Sequence, residues 1–168
     1  RLGGLREVID RQSYFVLHAA RQVGKTTLLT ALGEALTAEG RYASVLLSCE
    51  AGRAFGGDPV AAQRDVLASW EVAARSRLPA ELRPPAGYAT GDAAPLTRFL
   101  SAWSEHCPRP LVLFLDEIDS LAGETLLSFL GQLRQGHALR PRAFPWSIGL
   151  VGMRDVRDYK AGAPGEAS

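Results

Sequence analysis

The residues best suited to chemistry form the segment HAARQVGKTT, from His18 to Thr27, between a short apolar run and a helical pattern. In a loop of the pattern GxxxxGK(S/T), backbone N–H groups surround the phosphates of a nucleotide, the lysine reaches the β- and γ-phosphates, and the next hydroxyl group binds Mg²⁺. Gly24, Lys25 and Thr26 match the end of this pattern. The amino end of the following helix also favours a polyphosphate. The predicted contacts to the nucleotide are Ala20, Arg21, Gln22, Val23, Gly24, Lys25, Thr26 and Thr27.

The loop departs from the pattern at its first glycine, where this chain has Ala19. Glycine permits a backbone φ that alanine adopts less readily, so the loop either takes a conformation that alanine tolerates or binds phosphate more weakly. We expect the first. The alternative to a phosphate loop is a plain strand-to-helix turn in which Gly24 relieves strain and Lys25 is solvated.

A second group of candidates is the acidic pair Asp116 and Glu117, which follows the apolar run at 111–115. In this arrangement the aspartate holds the Mg²⁺ shell and the glutamate polarises the water that attacks the phosphate. The acidic pattern alone is common by chance, but the two motifs independently predict the same nucleotide site. We therefore predict Thr26 and Asp116 as metal ligands, with Glu117 and Lys25 as the catalytic residues.

Three further polar residues are weaker candidates. Glu50 follows the predicted strand at 43–48, and ligands collect at the carboxyl ends of parallel strands. Its alternative is a solvated loop carboxylate. Asp119 and Ser120 are expected to begin the next segment, where helix capping is as good an explanation as catalysis.

The composition suits one globular domain, since 46% of the 168 residues are hydrophobic and 22% are charged. A net charge of +1 gives no global field that would attract nucleic acid or an anionic membrane, so a nucleic-acid partner is neither indicated nor excluded. Lys25 and Lys160 are the two lysines in a chain rich in arginine, which makes a lysine in the phosphate loop more significant.

Cys49 and Cys107 lie far apart and lack a CxxC spacing, so we expect buried free thiols rather than a disulfide or a zinc site. No apolar run approaches the roughly 18 residues that span a bilayer. No signal segment opens the chain, and a cytoplasmic location is expected.

Hydrophobic patterning predicts an α/β fold with a mostly parallel sheet and helices on both faces. A long loop is predicted at 79–95, because this segment is rich in proline and poor in apolar residues. We expect one domain over residues 1–160, a linker or frayed tail at 161–168, and a chain truncated at its carboxyl end. Predicted strands occupy 14–17, 43–48, 111–115 and 146–151, and predicted helices occupy 2–10, the segment from 28 to Gly40, 59–78, the segment from 96 to Pro108, and 124–136.

The order of these elements resembles the ATPase-core branch of P-loop NTPases. More narrowly, residues 20–27 (ARQVGKTT), 14–18 (YFVLH) and 152–159 (GMRDVRDY) resemble AAA-like ATPases of prokaryotes, whose loop reads close to PRQxGKTT. The resemblance covers roughly residues 5–160. It implies a three-layer P-loop NTPase core with ATP and Mg²⁺ as cofactors, and hydrolysis of the β–γ phosphoanhydride bond that drives or switches appended domains. An isolated piece of such a protein is expected to be nearly inactive.

The resemblance also implies a five-stranded sheet, with the loop strand central and the strand that carries Asp116 beside it. A sensor residue would lie near Gly152, so Arg154 or Asp155 are candidates. The alternative for both is a surface salt-bridge network with Arg157 and Asp158. In a homo-oligomer, Arg140 or Arg142 would be candidates for an arginine that reaches a neighbour's nucleotide, although both also suit solvated loop positions.

Two other functions remain open at this point. A nucleotide-gated signalling or scaffold module would bind ATP and hydrolyse it negligibly. A small-molecule P-loop kinase fits less well, because such kinases do not usually need a glutamate directly after the metal-binding aspartate.

Overall fold

The computed structural model describes residues 2–18, 24–55, 57–87 and 94–152. Two short 3₁₀ helices matter for the site, and we name them the β2 turn (Glu50–Phe55) and the β3 turn (Ile118–Ser120). The described helices are α1 (Leu2–Asp10), α2 (Lys25–Ala38), α3 (Pro59–Arg77), α4 (Pro95–His106) and α5 (Gly123–His137), and the strands are β1 (Phe15–His18), β2 (Ala43–Ser48), β3 (Leu111–Asp116) and β4 (Ser147–Gly152).

These elements confirm the predicted α/β class. The bounds of α1 and β2 are those predicted from the sequence, and the other helices and strands differ from prediction by a few residues at their ends. No helix within the described ranges is long and apolar enough to cross a membrane.

The four strands are all parallel, in the order β1-β4-β3-β2. The expectation that β3 lies beside the loop strand is wrong, because β4 separates them. Within the described residues β1 is also an edge strand rather than a central one. Gly149 of β4 leaves room for two aromatic rings on the neighbouring strands, since a Cβ at that position would lie 2.4 Å from the ring of Phe15 and 3.3 Å from the ring of Phe114.

Helices cover both faces of the sheet, which gives a three-layer core. Val112 and Phe114 of β3 pack in the cluster with residues of α1 and α2. Leu113 and Leu115 pack in the cluster with α3, α4 and α5. All four side chains are fully buried, which is why β3 reads as a continuous apolar run without alternation.

The structure refines one local prediction and contradicts another. The predicted loop at 79–95 contains a short helix, Ala80–Leu82, and Leu82 is fully buried with its carbonyl accepting a hydrogen bond from the indole of Trp103 at 2.9 Å. Asp119 and Ser120 do not cap α5, because that helix begins three residues later, after Ala122. They belong to the β3 turn instead.

Candidate nucleotide site

The described part of the lysine loop begins at Gly24, directly before α2. Gly24 has φ of 102°, in the left-handed region that favours glycine, and no described residue beyond its chain neighbours lies within 4 Å of the position of a Cβ. Backbone conformation rather than crowding therefore requires glycine here. The predicted nucleotide contacts Ala20, Arg21, Gln22 and Val23 lie outside the described residues, as does Ala19.

Lys25 is the first residue of α2, and its ammonium donates to the carbonyl of His18 at 3.4 Å. The side chain thus reaches back from the start of the helix to the last residue of β1. This contact keeps a cation beside the gap between strand and helix, where the phosphate loop is predicted. Thr27 lies two residues along the helix and is exposed.

Thr26 and Asp116 bring the two sequence motifs into contact. The hydroxyl of Thr26 donates to Oδ2 of Asp116 at 3.1 Å. Thr26 is exposed and Asp116 is partly buried at the end of β3. A hydroxyl beside a carboxylate is a hard-oxygen pair of the kind that Mg²⁺ prefers.

The oxygens of Thr26 and Asp116 could bind Mg²⁺ only together with ligands from water or from a phosphate. In the described ranges, no group of three or more His, Cys, Asp or Glu side chains is arranged to hold a metal ion by itself. Mg²⁺ usually keeps several waters and takes one or two protein ligands together with substrate phosphates. Thr26 and Asp116 suit that mode of binding.

Glu117 has an unusual backbone for a residue with a side chain, with φ of 58° and ψ of 39°. This left-handed conformation costs about 1–2 kcal/mol in a residue other than glycine and is often found at functional sites. The amide of Glu117 donates to Oδ1 of Asp116 at 2.8 Å, and its Oε1 accepts from the hydroxyl of Ser48 at 2.8 Å. Both ends of the residue are therefore fixed.

Ser48 is a site residue that the sequence analysis missed. It ends β2 and lies opposite Asp116 in the register of β2 and β3. Its hydroxyl also accepts from the amide of Glu50 at 3.1 Å, and its carbonyl accepts from the indole of Trp70 at 2.8 Å. A polar residue at the carboxyl end of a predicted parallel strand is the signal that would have marked it as a candidate, because ligands collect at that edge of a sheet.

The weaker candidates lie near the acidic pair in different ways. Glu50 is exposed at the start of the β2 turn and contributes its backbone amide, in keeping with the alternative of a solvated carboxylate. Asp119 is partly buried, and a Cβ on Gly152 would lie 3.8 Å from its Oδ1 and 2.7 Å from Ile118. The packing of β4 against the β3 turn therefore favours glycine at 152. The sensor candidates Arg154 and Asp155, with Arg157 and Asp158, lie outside the described residues.

Cys49 lies directly behind the acidic pair and is fully buried. Burial raises the pKa of its thiol, and the nearby charges of Asp116, Glu117 and Asp119 raise it further. The thiol is therefore protonated and adds no negative charge to the site. Both cysteines are free and buried, as predicted.

Arg140 is engaged within its own chain, at the opposite end of the sheet. Its guanidinium donates to the carbonyls of Gln12, His137 and Trp146 and lies 5.0 Å from the ring centre of Tyr14. A guanidinium with these contacts is unsuited to reach a neighbour's nucleotide. Arg142 is exposed, so it stays a candidate for an arginine that reaches the nucleotide of a neighbouring copy.

Comparison with known proteins identifies the family of this chain. The sequence matches a family described as an AAA domain over residues 8–159, a region that contains both motifs. Searches of curated proteins and of solved structures gave no significant match. The match covers most of the chain, and the all-parallel sheet has the architecture of a P-loop NTPase core. This chain belongs to the AAA domain family of P-loop NTPases.

Proposed function

We propose that this protein binds Mg-ATP at the carboxyl end of its sheet and hydrolyses the β–γ phosphoanhydride bond. The observation that supports this most strongly is the 3.1 Å contact between Thr26 and Asp116. Two motifs that are distant in the sequence meet there, with a lysine one residue away from the threonine. Family membership supports nucleotide binding independently.

The phosphates would be held by the start of α2 and by Lys25. The free N–H groups of the first helical turn and the positive end of its dipole attract anions. To engage phosphate, the ammonium of Lys25 exchanges its 3.4 Å contact with the His18 carbonyl for a charged acceptor. Thr26 and Asp116 would hold Mg²⁺, which when bound neutralises charge on the phosphate oxygens.

Glu117 would orient the attacking water and accept its proton. Glu117 directly follows the proposed metal-binding aspartate, and Ser48 fixes Oε1. Among the described residues the second carboxylate oxygen has no hydrogen-bond partner, so it could accept from a water. Catalysis of phosphoryl transfer depends mainly on positioning and electrostatics. A glutamate whose backbone amide and carboxylate are both hydrogen-bonded suits this role.

The contact between Ser48 and Glu117 also favours a second candidate function. If the serine restrains the glutamate rather than orienting it, the protein would bind ATP, hydrolyse it negligibly and act as a nucleotide-gated module. In either case the nucleotide state would be passed to appended domains or to another copy of the chain.

Single-turnover hydrolysis of radiolabelled ATP with protein in excess distinguishes the two functions. Hydrolysis by the parent that disappears in Glu117→Gln supports the ATPase. Stoichiometric binding of ATP with equally negligible hydrolysis in both proteins supports the gated module. Absence of ATP binding contradicts both.

A further inference from the structure

The left-handed backbone of Glu117 needs support from the residues that follow it. The amide of Ser120 donates to the carbonyl of Glu117 at 2.9 Å, which closes the β3 turn, and the amide of Leu121 donates to Ile118 at 3.1 Å. These bonds form a single short turn. A turn of one cycle is weak by itself, because few hydrogen bonds offset the loss of backbone freedom.

Arg53 contacts the β3 turn from the β2 turn, which follows the neighbouring strand. Nη2 of Arg53, in the β2 turn, donates to the hydroxyl of Ser120 at 2.8 Å. Ser120 is only 6% exposed, although Arg53 itself is exposed on the outer side. A hydrogen bond from a charged donor to a buried hydroxyl is stronger than one between neutral groups.

The β2 and β3 turns also pack directly against each other. Gly52 precedes Arg53, and a Cβ on Gly52 would lie 2.6 Å from Leu121 and 3.1 Å from Val66. This close approach brings the backbone of the β2 turn against the residue that follows the β3 turn. Arg53 therefore extends from a well-fixed base.

These contacts form a closed circuit around Glu117. One side runs from Glu117 through its carboxylate to Ser48, whose chain continues into the β2 turn. The other side runs from Glu117 through the β3 turn to Ser120 and then to Arg53. The two sides meet in the β2 turn. Removal of the Arg53 side chain therefore breaks the connection between the two turns without removing a direct contact of Asp116 or Glu117.

We propose that Arg53 is a positioning residue that supports the orientation of Glu117 through Ser120. This inference rests on the proposed hydrolysis, because its catalytic consequence requires Glu117 to act on water. The alternative is that Arg53 contacts a phosphate itself. The two roles differ in what they do to nucleotide affinity.

The test compares Arg53→Ala and Arg53→Lys with Arg64→Ala, an exposed arginine on α3 that serves as the matched control. Hydrogen exchange of the amides at 118–121 reports on the β3 turn without nucleotide. ATP turnover and ATP affinity report on the site. Ser120→Ala removes the acceptor and should reproduce the effect of Arg53→Ala.

In Arg53→Ala, we expect the backbone amide hydrogens of Ser120 and Leu121 to exchange about tenfold faster than in the parent, since these amides close the turn. Its kcat should fall about tenfold or more while KM changes less than about twofold, because loss of positioning affects the transition state. Arg53→Lys should lie between alanine and the parent in both measurements. Arg53→Ala combined with Ser120→Ala should be no worse than either alone, and Arg64→Ala should match the parent.

Unchanged exchange in Arg53→Ala would overturn the proposal whatever the turnover. Faster exchange with unchanged kcat would also overturn it, because Arg53 would then stabilise the turn without positioning Glu117. A raised KM and weakened ATP binding would assign Arg53 to the phosphates instead. If neither the parent nor any variant hydrolyses ATP, the proposed hydrolysis is wrong, and the catalytic role of Arg53 is wrong with it. Hydrogen exchange still decides whether Arg53 supports the β3 turn.

Discussion

At the amino end of the sheet, polar side chains donate mainly to backbone carbonyls, whereas at the carboxyl end they bond mainly to one another. Arg140 donates to three carbonyls, the indole of Trp146 donates to Ile9 at 2.7 Å, and the hydroxyl of Ser147 donates to Ser13 at 2.6 Å. These bonds join α1, α5 and the starts of β1 and β4. A backbone carbonyl has no rotamer to change, so this end is suited to stability.

The carboxyl end has the opposite character. Thr26 bonds to Asp116, Ser48 bonds to Glu117, and Arg53 bonds to Ser120, all through side chains that can rotate. A side chain that can rotate is able to exchange its partner for an atom of a ligand, as proposed for Thr26 and Asp116. The difference between the two ends suggests that substitutions at one should change stability and substitutions at the other should change chemistry.

The largest expected effect is that of Glu117→Gln. Loss of a general base lowers turnover by about 10²–10⁴-fold. Affinity for ATP and the free energy of unfolding should stay near those of the parent, because glutamine keeps the size of the side chain and can still accept from Ser48. Steady-state assays measure turnover, titration calorimetry measures ATP affinity, and chemical denaturation measures the free energy of unfolding. Turnover equal to the parent's would assign water activation to another residue, with Asp119 as the next candidate.

Lys25→Ala should weaken ATP binding about tenfold to a hundredfold, since hydrogen bonds to charged groups contribute ~1.5–3 kcal/mol. Titration calorimetry measures this loss. The thermal midpoint without nucleotide should change little, because among the described residues the ammonium makes one long contact, to the carbonyl of His18. An unchanged ATP affinity would contradict the assignment of the phosphate loop.

Arg140→Ala tests the other end of the sheet. We expect it to lower the free energy of unfolding by about 2 kcal/mol, because three carbonyls lose a charged donor. Affinity for ATP should be unaffected. Chemical denaturation measures the stability, with Arg142→Ala as the control that should unfold like the parent. Loss of turnover without loss of stability in Arg140→Ala would contradict the distinction between the two ends.

Ser48→Ala should have the smallest effect. If Ser48 orients Glu117, turnover should fall about fivefold through loss of positioning, with ATP affinity unchanged. A rise in turnover would mean that the serine restrains the glutamate, which would favour the nucleotide-gated module. Single-turnover hydrolysis distinguishes a fall from a rise.

The position of the two motifs at strand ends and the burial of the central strands could be predicted from the sequence, because local patterns determine them. The lysine loop and the acidic pair are short motifs, and both lie where a strand must end. The continuous apolar runs of β2 and β3 indicated strands buried on both faces. In each case the signal lies within a few consecutive residues.

Contacts that depend on strand order could not be predicted in this way. The bond from Ser48 to Glu117 requires both the pairing of β2 with β3 and a left-handed backbone at a residue that is not glycine. The packing of Phe15 and Phe114 over Gly149 likewise requires β4 to lie between β1 and β3. The role of Arg140 depends in part on the carbonyl of Gln12, which is 128 positions away in the chain.

The contact between Thr26 and Asp116 is the centre of the proposed function, and the effect of Mg²⁺ on ATP affinity tests it most directly. Calorimetry with and without Mg²⁺ compares the parent with Thr26→Ala, Asp116→Asn, the double variant, and Thr30→Ala as a control in the same helix. We predict that Mg²⁺ raises the affinity of the parent and of Thr30→Ala about tenfold, or ~1.4 kcal/mol. Both single variants should lose this gain, and the double variant should lose no more than either. A gain by Mg²⁺ that survives in Thr26→Ala and in Asp116→Asn would contradict a shared metal site at this contact.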